Sequence, residues 1–142
     1  MTPLESLQES LAGEHAAVYV YGVLGARVSQ SKEPSLAAQL TAAYTAHRGR
    51  RDQLVALVRL AHGDPVAAAL SYSLPNTAGT AAELRHAALV TEQRCSAVYA
   101  QLVASTSGTD RQWALRALDD SAVRQLSFGA PPSPYPGIPE LG

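Results

Sequence analysis

The chain has little of what marks secreted, membrane-embedded or nucleic-acid-bound proteins. It carries one cysteine, Cys95, which excludes an internal disulfide framework and any zinc site assembled from several thiolates. No uninterrupted apolar run reaches membrane-spanning length, and Met1-Thr2-Pro3-Leu4-Glu5 lacks the basic stretch and apolar segment of a signal peptide. The expected location is therefore the cytoplasm, with no membrane partner. Phe and Trp occur once each, so the core must come from Leu, Val, Ala and Tyr, a composition that suits closely packed helices. The formal charge of −1 creates no broad field for nucleic acid, and a nucleic-acid partner is not expected.

What is present is punctuation. Thr2-Pro3-Leu4-Glu5 combines a Thr cap, a Pro at the first helical position and a Glu three residues after the cap, which opens a first helix running to about Gln30. A second helix starts near Glu33-Pro34-Ser35 and stops at His62-Gly63-Asp64-Pro65, since Gly accepts a left-handed cap and Pro cannot continue a helix. A third begins at the capping box Thr80-Ala81-Ala82-Glu83 and ends near Ser107-Gly108. A fourth follows through Thr109-Asp110-Arg111-Gln112 and closes at Phe128-Gly129.

Apolar residues spaced alternately by three and four mark the core face of each helix. The stripes read Leu4, Leu7, Leu11, Glu14, Val18, Tyr21, Gly25, Val28; then Leu36, Leu40, Ala43, His47, Leu54, Leu57, Ala61. Helix three offers Leu84, Ala88, Glu92, Tyr99, Val103, and helix four Leu115, Asp119, Ala122, Leu126. Short links force two antiparallel hairpins, whereas the stretch from Gly63 to Gly79 is long enough to climb the bundle and set helix three parallel to helix two. Its alternating Leu70, Tyr72 and Leu74 predict that it packs down. The expected architecture is all-α: an antiparallel four-helix bundle over residues 1–129, with a long crossover between the second and third helices. A Pro-rich tail, 130–142, presents Tyr135, Ile138 and Leu141 at polyproline spacing, for docking on the bundle or a second subunit.

Glu14, His47, Glu92 and Asp119 sit near the midpoints of their helices and on the apolar stripes, so they are expected to meet. A carboxylate buried alone costs several kcal/mol, which requires charge partners, a metal or protons. One reading is a metal centre holding iron or another divalent ion through Glu14, His47 and Glu92. A dimetal centre of the ferritin-like kind uses single Glu ligands from two helices and Glu-x-x-His pairs from the other two. Here Tyr44 stands three residues before His47, and Asp120-Ser121-Ala122-Val123 stands where the second pair belongs. The favoured reading is a buried ion-pair network of Glu14, His47, Arg51, Glu92 and Asp119, with Arg48 or Arg50 flanking and Tyr44 or Tyr99 adding a donor.

Leu11-Ala12-Gly13-Glu14-His15-Ala16-Ala17-Val18-Tyr19, His47-Arg48-Gly49-Arg50-Arg51-Asp52 and the closing Tyr135-Pro136-Gly137-Ile138-Pro139-Glu140-Leu141 carry a resemblance. The chain resembles a bacterial ferritin-like family of unknown function found mainly in actinobacteria. That resemblance implies the ferritin-like fold and no established activity. The functional expectation is a non-enzymatic bundle with no cofactor, acting through a homo-oligomer, a dimer first, or through a protein partner. The alternative is a metal-binding ferritin-like redox or storage protein with a reduced ligand set.

Overall fold

The computed structural model describes residues 1–141; Gly142, the last residue of the expected tail, lies outside the described residues. Four helices account for the fold: α1 (Pro3–Arg27), α2 (Pro34–Leu60), α3 (Ala81–Ser105) and α4 (Gly108–Ser127). No strand occurs among the described residues. At the start of α1 the Glu5 amide donates to the Thr2 hydroxyl, 3.2 Å, while the Thr2 amide donates to the Glu5 carboxylate, 2.7 Å. Two of the free donors at that helix end are thereby satisfied.

Three ends differ from expectation. α1 stops at Arg27 rather than Gln30, because Val28 turns to extended backbone and tucks into the core. After α2 the left-handed residue is His62, at φ 60°, rather than Gly63. Gly63 serves by its size, since a Cβ there would lie 2.6 Å from Leu4 Cδ1. α4 is capped at Ser107, two residues earlier than the Thr109 box, and no side chain closes that cap.

Cross-helix contacts define the topology. Tyr21 reaches Ala88 and Glu92, Gly13 faces Val98, and Ser6 meets Ser105, so α3 runs antiparallel to α1. Glu14 meets His47 and Gly22 faces Tyr44, so α2 is antiparallel to α1 as well, and therefore parallel to α3. The link between α2 and α3 thus climbs the full bundle, as its length requires. It is fastened by Gln8, whose amide donates to the Asp64 carbonyl, 2.6 Å, and whose oxygen accepts from the Val66 amide, 2.9 Å. Arg27 holds the Thr77 carbonyl at 2.8 Å, and Tyr72 leans on Tyr19 with ring centroids 5.6 Å apart. Tyr72 and Leu74 are half-buried, but Leu70 points to solvent, so the link packs down over only part of its length.

Two apolar clusters fill the bundle. Leu7, Leu11, Leu54, Val58, Leu102 and Ala114 fill one end, and a larger group around Val20, Leu24, Leu36, Leu40, Leu84 and Phe128 fills the other. The face of α4 departs from its expected stripe: Ala114, Ala117 and Ser121 are buried, while Leu115, Asp119 and Leu126 are exposed. The buried face is offset by one residue because α4 packs against α3 through small side chains. The tail folds back in cis, with Gly137 at φ 83° seated where a Cβ would run into the Ser96 carbonyl oxygen. Tyr135, Ile138 and Leu141 are exposed, so the glycine makes this close approach rather than the polyproline face.

Candidate functional site: a buried charge centre

Between the two apolar clusters lies a polar layer. Glu14 from α1, His47 from α2 and Glu92 from α3 each have no exposed surface. Nδ1 of His47 is 2.6 Å from Glu14 Oε2, and Nε2 is 2.9 Å from Glu92 Oε1. A carboxylate accepts and cannot donate when ionised, so both ring nitrogens donate and His47 is an imidazolium. Burial opposes that charge. The charge of Glu14, the hydrogen bonds to Glu14 and Glu92, and the charge of Glu92 outweigh it and hold the ring's pKa up to about 9, from an ordinary 6.5.

Glu92 is the most heavily bonded member. It accepts from the Tyr21 hydroxyl at 2.7 Å and from the Ser121 hydroxyl at 2.6 Å, in addition to His47. Burial pushes its pKa up, but the hydrogen bond and charge of His47, followed by the Ser121 bond and the charge of Arg124, pull it below the ordinary 4.5. Burial, and then the charge of Glu92, drive the Tyr21 phenol well above 10, so it remains a donor. The Tyr21 ring also lies nearly parallel to the imidazole, 17° between planes with centroids 5.2 Å apart. Beyond Ser121 the chain of hydroxyls continues to Ser96 at 3.0 Å and to the Gln125 amide, which donates to Ser96 at 2.7 Å.

Two carboxylates against one imidazolium leave a negative charge, which arginines meet from the rim. Arg124 places Nη1 3.8 Å from Glu92 Oε1 and 2.9 Å from Asp120 Oδ2. Arg50 pairs with Asp120, and its guanidinium lies over the Tyr99 ring, 5.5 Å from the centroid. Two expected members are absent from the centre. Arg51 points outward and pairs with its neighbour Asp52 at 2.8 Å, and Asp119 is exposed. Arg50 takes the inward path instead because Asp120, not Asp119, stands opposite α2. Ser121, which the apolar pattern did not single out, supplies the contact from α4. Tyr21 had the visible signal of sharing the Glu14 stripe two turns on. Tyr44 contributes no bond to the centre; it lies under the Arg48 guanidinium, 5.6 Å from the ring centroid.

The residues able to ligate a metal here are Glu14, His47 and Glu92, and their arrangement does not suit one. The carboxylates lie on opposite flanks of the imidazole, so they do not converge on a shared position. Both ring nitrogens are committed as donors, whereas a ligating histidine must offer a lone pair. Among the described residues no group of three or more His, Cys, Asp and Glu side chains is arranged to hold an ion. Among the described residues two buried side-chain polar atoms lack any partner, Ser10 Oγ and Glu14 Oε1. They lie one helical turn apart on α1.

Fold and centre together define a four-helix bundle with a crossover connection, organised around an imidazolium held between carboxylates. Residues 6–140 match the family model described as "Domain of unknown function (DUF4439)", and the chain belongs to that family. It is also similar to a conserved hypothetical protein, rv2844, from Mycobacterium tuberculosis, whose crystal structure superposes with a TM-score of 0.82 at 28% identity, over 89% of this chain and 93% of that one. No curated protein matches the sequence. No helix among the described residues is long and apolar enough to cross a membrane.

Proposed function

We propose that this protein is a non-enzymatic bundle of the ferritin-like type that works by association, with α4 pairing against α4 of a second copy. The observation that carries the reading is the outer face of α4. Leu115, Val123 and Leu126 are 43%, 65% and 44% exposed on a helix whose buried face is made of Ala and Ser. Large apolar side chains left on the outer face of a helix, where small residues would serve, suit contact with a partner. Asp119 stands between Leu115 and Val123, with Arg111 and Arg116 on the same exposed helix, and the three form no ion pair within the chain among the described residues. In an isologous pair each copy offers both signs to the other, which suits a two-fold dimer. The buried centre supports a structural role: His47 and Glu92 have all their side-chain polar atoms engaged inside the protein, and the unpartnered Glu14 Oε1 is fully buried.

Light scattering on the eluting protein, with Leu126→Glu as the comparison, tests the reading. The wild-type chain is expected to run as a dimer and the variant as a monomer with unchanged helical circular dichroism. A wild-type chain that stays monomeric at the highest attainable concentration refutes association, and a variant that remains dimeric refutes the assignment to α4. The metal-dependent alternative has the opposite signature, an ion recovered in stoichiometric amount and lost on His47→Ala.

A further inference from the structure

A cavity of about 340 Å³ opens between α1 and α3, beside the crossover, and no residue of α4 lines it. Its size is explained by its walls. α1 contributes Gly13 and Ala16, side chains too small to fill the space, and α3 contributes Val98. The outer wall is Tyr72 with Ser73. Tyr72 is not loose: its ring rests on Tyr19 and its hydroxyl accepts from the Ala69 amide at 2.9 Å. The cavity is therefore preformed, with a fixed outer wall.

The lining is mainly apolar and contains a single formal charge. Arg94 stands at the edge on the solvent side, and it forms no ion pair or hydrogen bond among the described residues. No Asp or Glu lines the space, and Cys95 beside it has its thiol pKa raised by burial, so it brings no negative charge. An unpaired guanidinium beside a concave apolar surface fits one ligand chemistry. A carboxylate takes the planar, two-pronged donor set of arginine, and a hydrocarbon body takes the cavity. The volume falls within the range of small-ligand sites.

We propose that the α1–α3 cavity binds a small monocarboxylate with an apolar body, its head on Arg94 and its tail against Gly13, Ala16 and Val98. Calorimetric titration with decanoate, kept below its micelle concentration, tests this, with decanol as the uncharged probe. Wild-type protein should bind decanoate once per chain. Arg94→Gln, a change at an exposed residue that leaves the bundle intact, should weaken decanoate roughly tenfold, the equivalent of one lost charge-assisted contact, and leave decanol unaffected. Ala16→Leu, which occupies the space, should abolish binding of both. The proposal is overturned if decanoate shows no saturable binding, if decanol binds wild-type protein as tightly as decanoate, or if Ala16→Leu binds as wild type does.

Discussion

Raising the pH through the neutral range should loosen this protein, and the centre sets how much. His47 has a folded pKa of about 9 against an ordinary 6.5. A group whose pKa is raised on folding stabilises fully below its unfolded value and loses that contribution as pH rises through the folded value. The full shift is worth about 3 kcal/mol at about 1.4 kcal/mol per unit, a large share of a domain stability of roughly 5–15 kcal/mol. The groups facing the ring are Glu14 and Tyr21 on α1, Arg50 on α2, Glu92 and Cys95 on α3, and Arg124 on α4. Tyr21 and Cys95 also have raised pKa values, so above their ordinary 10.0 and 9.0 they add losses of the same sign. The clean window lies below that, between about pH 6.5 and about pH 8.5, where wild-type stability should fall by about 2 kcal/mol. Denaturant unfolding followed by circular dichroism at several pH values measures it. His47→Gln should be less stable throughout and nearly flat across that window. A wild-type profile as flat as the variant's, or one that rises with pH, refutes the imidazolium.

Three further outcomes follow from individual contacts. Arg50→Ala should cost about 1–3 kcal/mol in thermal or denaturant unfolding, because it strips a guanidinium from Asp120 and the Tyr99 ring, while Arg51→Ala should stay within about 0.5 kcal/mol; equal effects refute the assignment of the inward arginine. Ser10→Ala removes a buried hydroxyl without a partner, so stability should hold or rise by up to about 1 kcal/mol, and a loss of that size in the same assay indicates a bound water bridging it to Glu14. Gly137→Ala should release the tail, seen as faster proteolytic trimming after Phe128 with the bundle's helicity unchanged, because both its positive φ and the Ser96 carbonyl oppose a side chain; unchanged trimming refutes the docking.

The starts of α1, α2 and α3 and three of the four core faces were legible because their signals are discrete. Capping boxes, prolines and large apolar residues at helical spacing leave few alternatives for α1, α2 and α3. The meeting of Glu14, His47 and Glu92 follows from the same logic, since a titratable residue at mid-helix on an apolar stripe has nowhere to point but inward. α4 misled for a physical reason. Its buried face is Ala114, Ala117 and Ser121, which contribute by close approach rather than by bulk, whereas Leu115 and Leu126 project outward and dominate any hydrophobic pattern. That one-residue offset propagated: with the stripe drawn through Asp119, the residues that reach α2 and the centre, Asp120 and Ser121, fell beside it. The choice of Arg50 over Arg51 was not available locally, because residues three and four after His47 both lie on its face. The neighbour on α4 decides between them.

The placement of the charge centre between two apolar clusters bears on why a bundle keeps it. An all-apolar layer of Leu and Ala would bury more hydrocarbon and spare three ionisable groups their desolvation, and replacements of that kind are often neutral or stabilising. Leu and Ala seams, however, slide: the three-four spacing of α1, α2 and α3 repeats, and a shift of one turn offers each helix another acceptable apolar face. His47 removes that freedom. Its two nitrogens point in fixed, opposed directions to α1 and α3, so a shift of one turn in either helix leaves a buried carboxylate facing Leu or Ala. Ser121 then ties α4 to the same carboxylate that holds α3 to α2. Stability surrendered at one layer thus selects a single register for all four helices, and the pH dependence of that layer is the measurable trace of the selection.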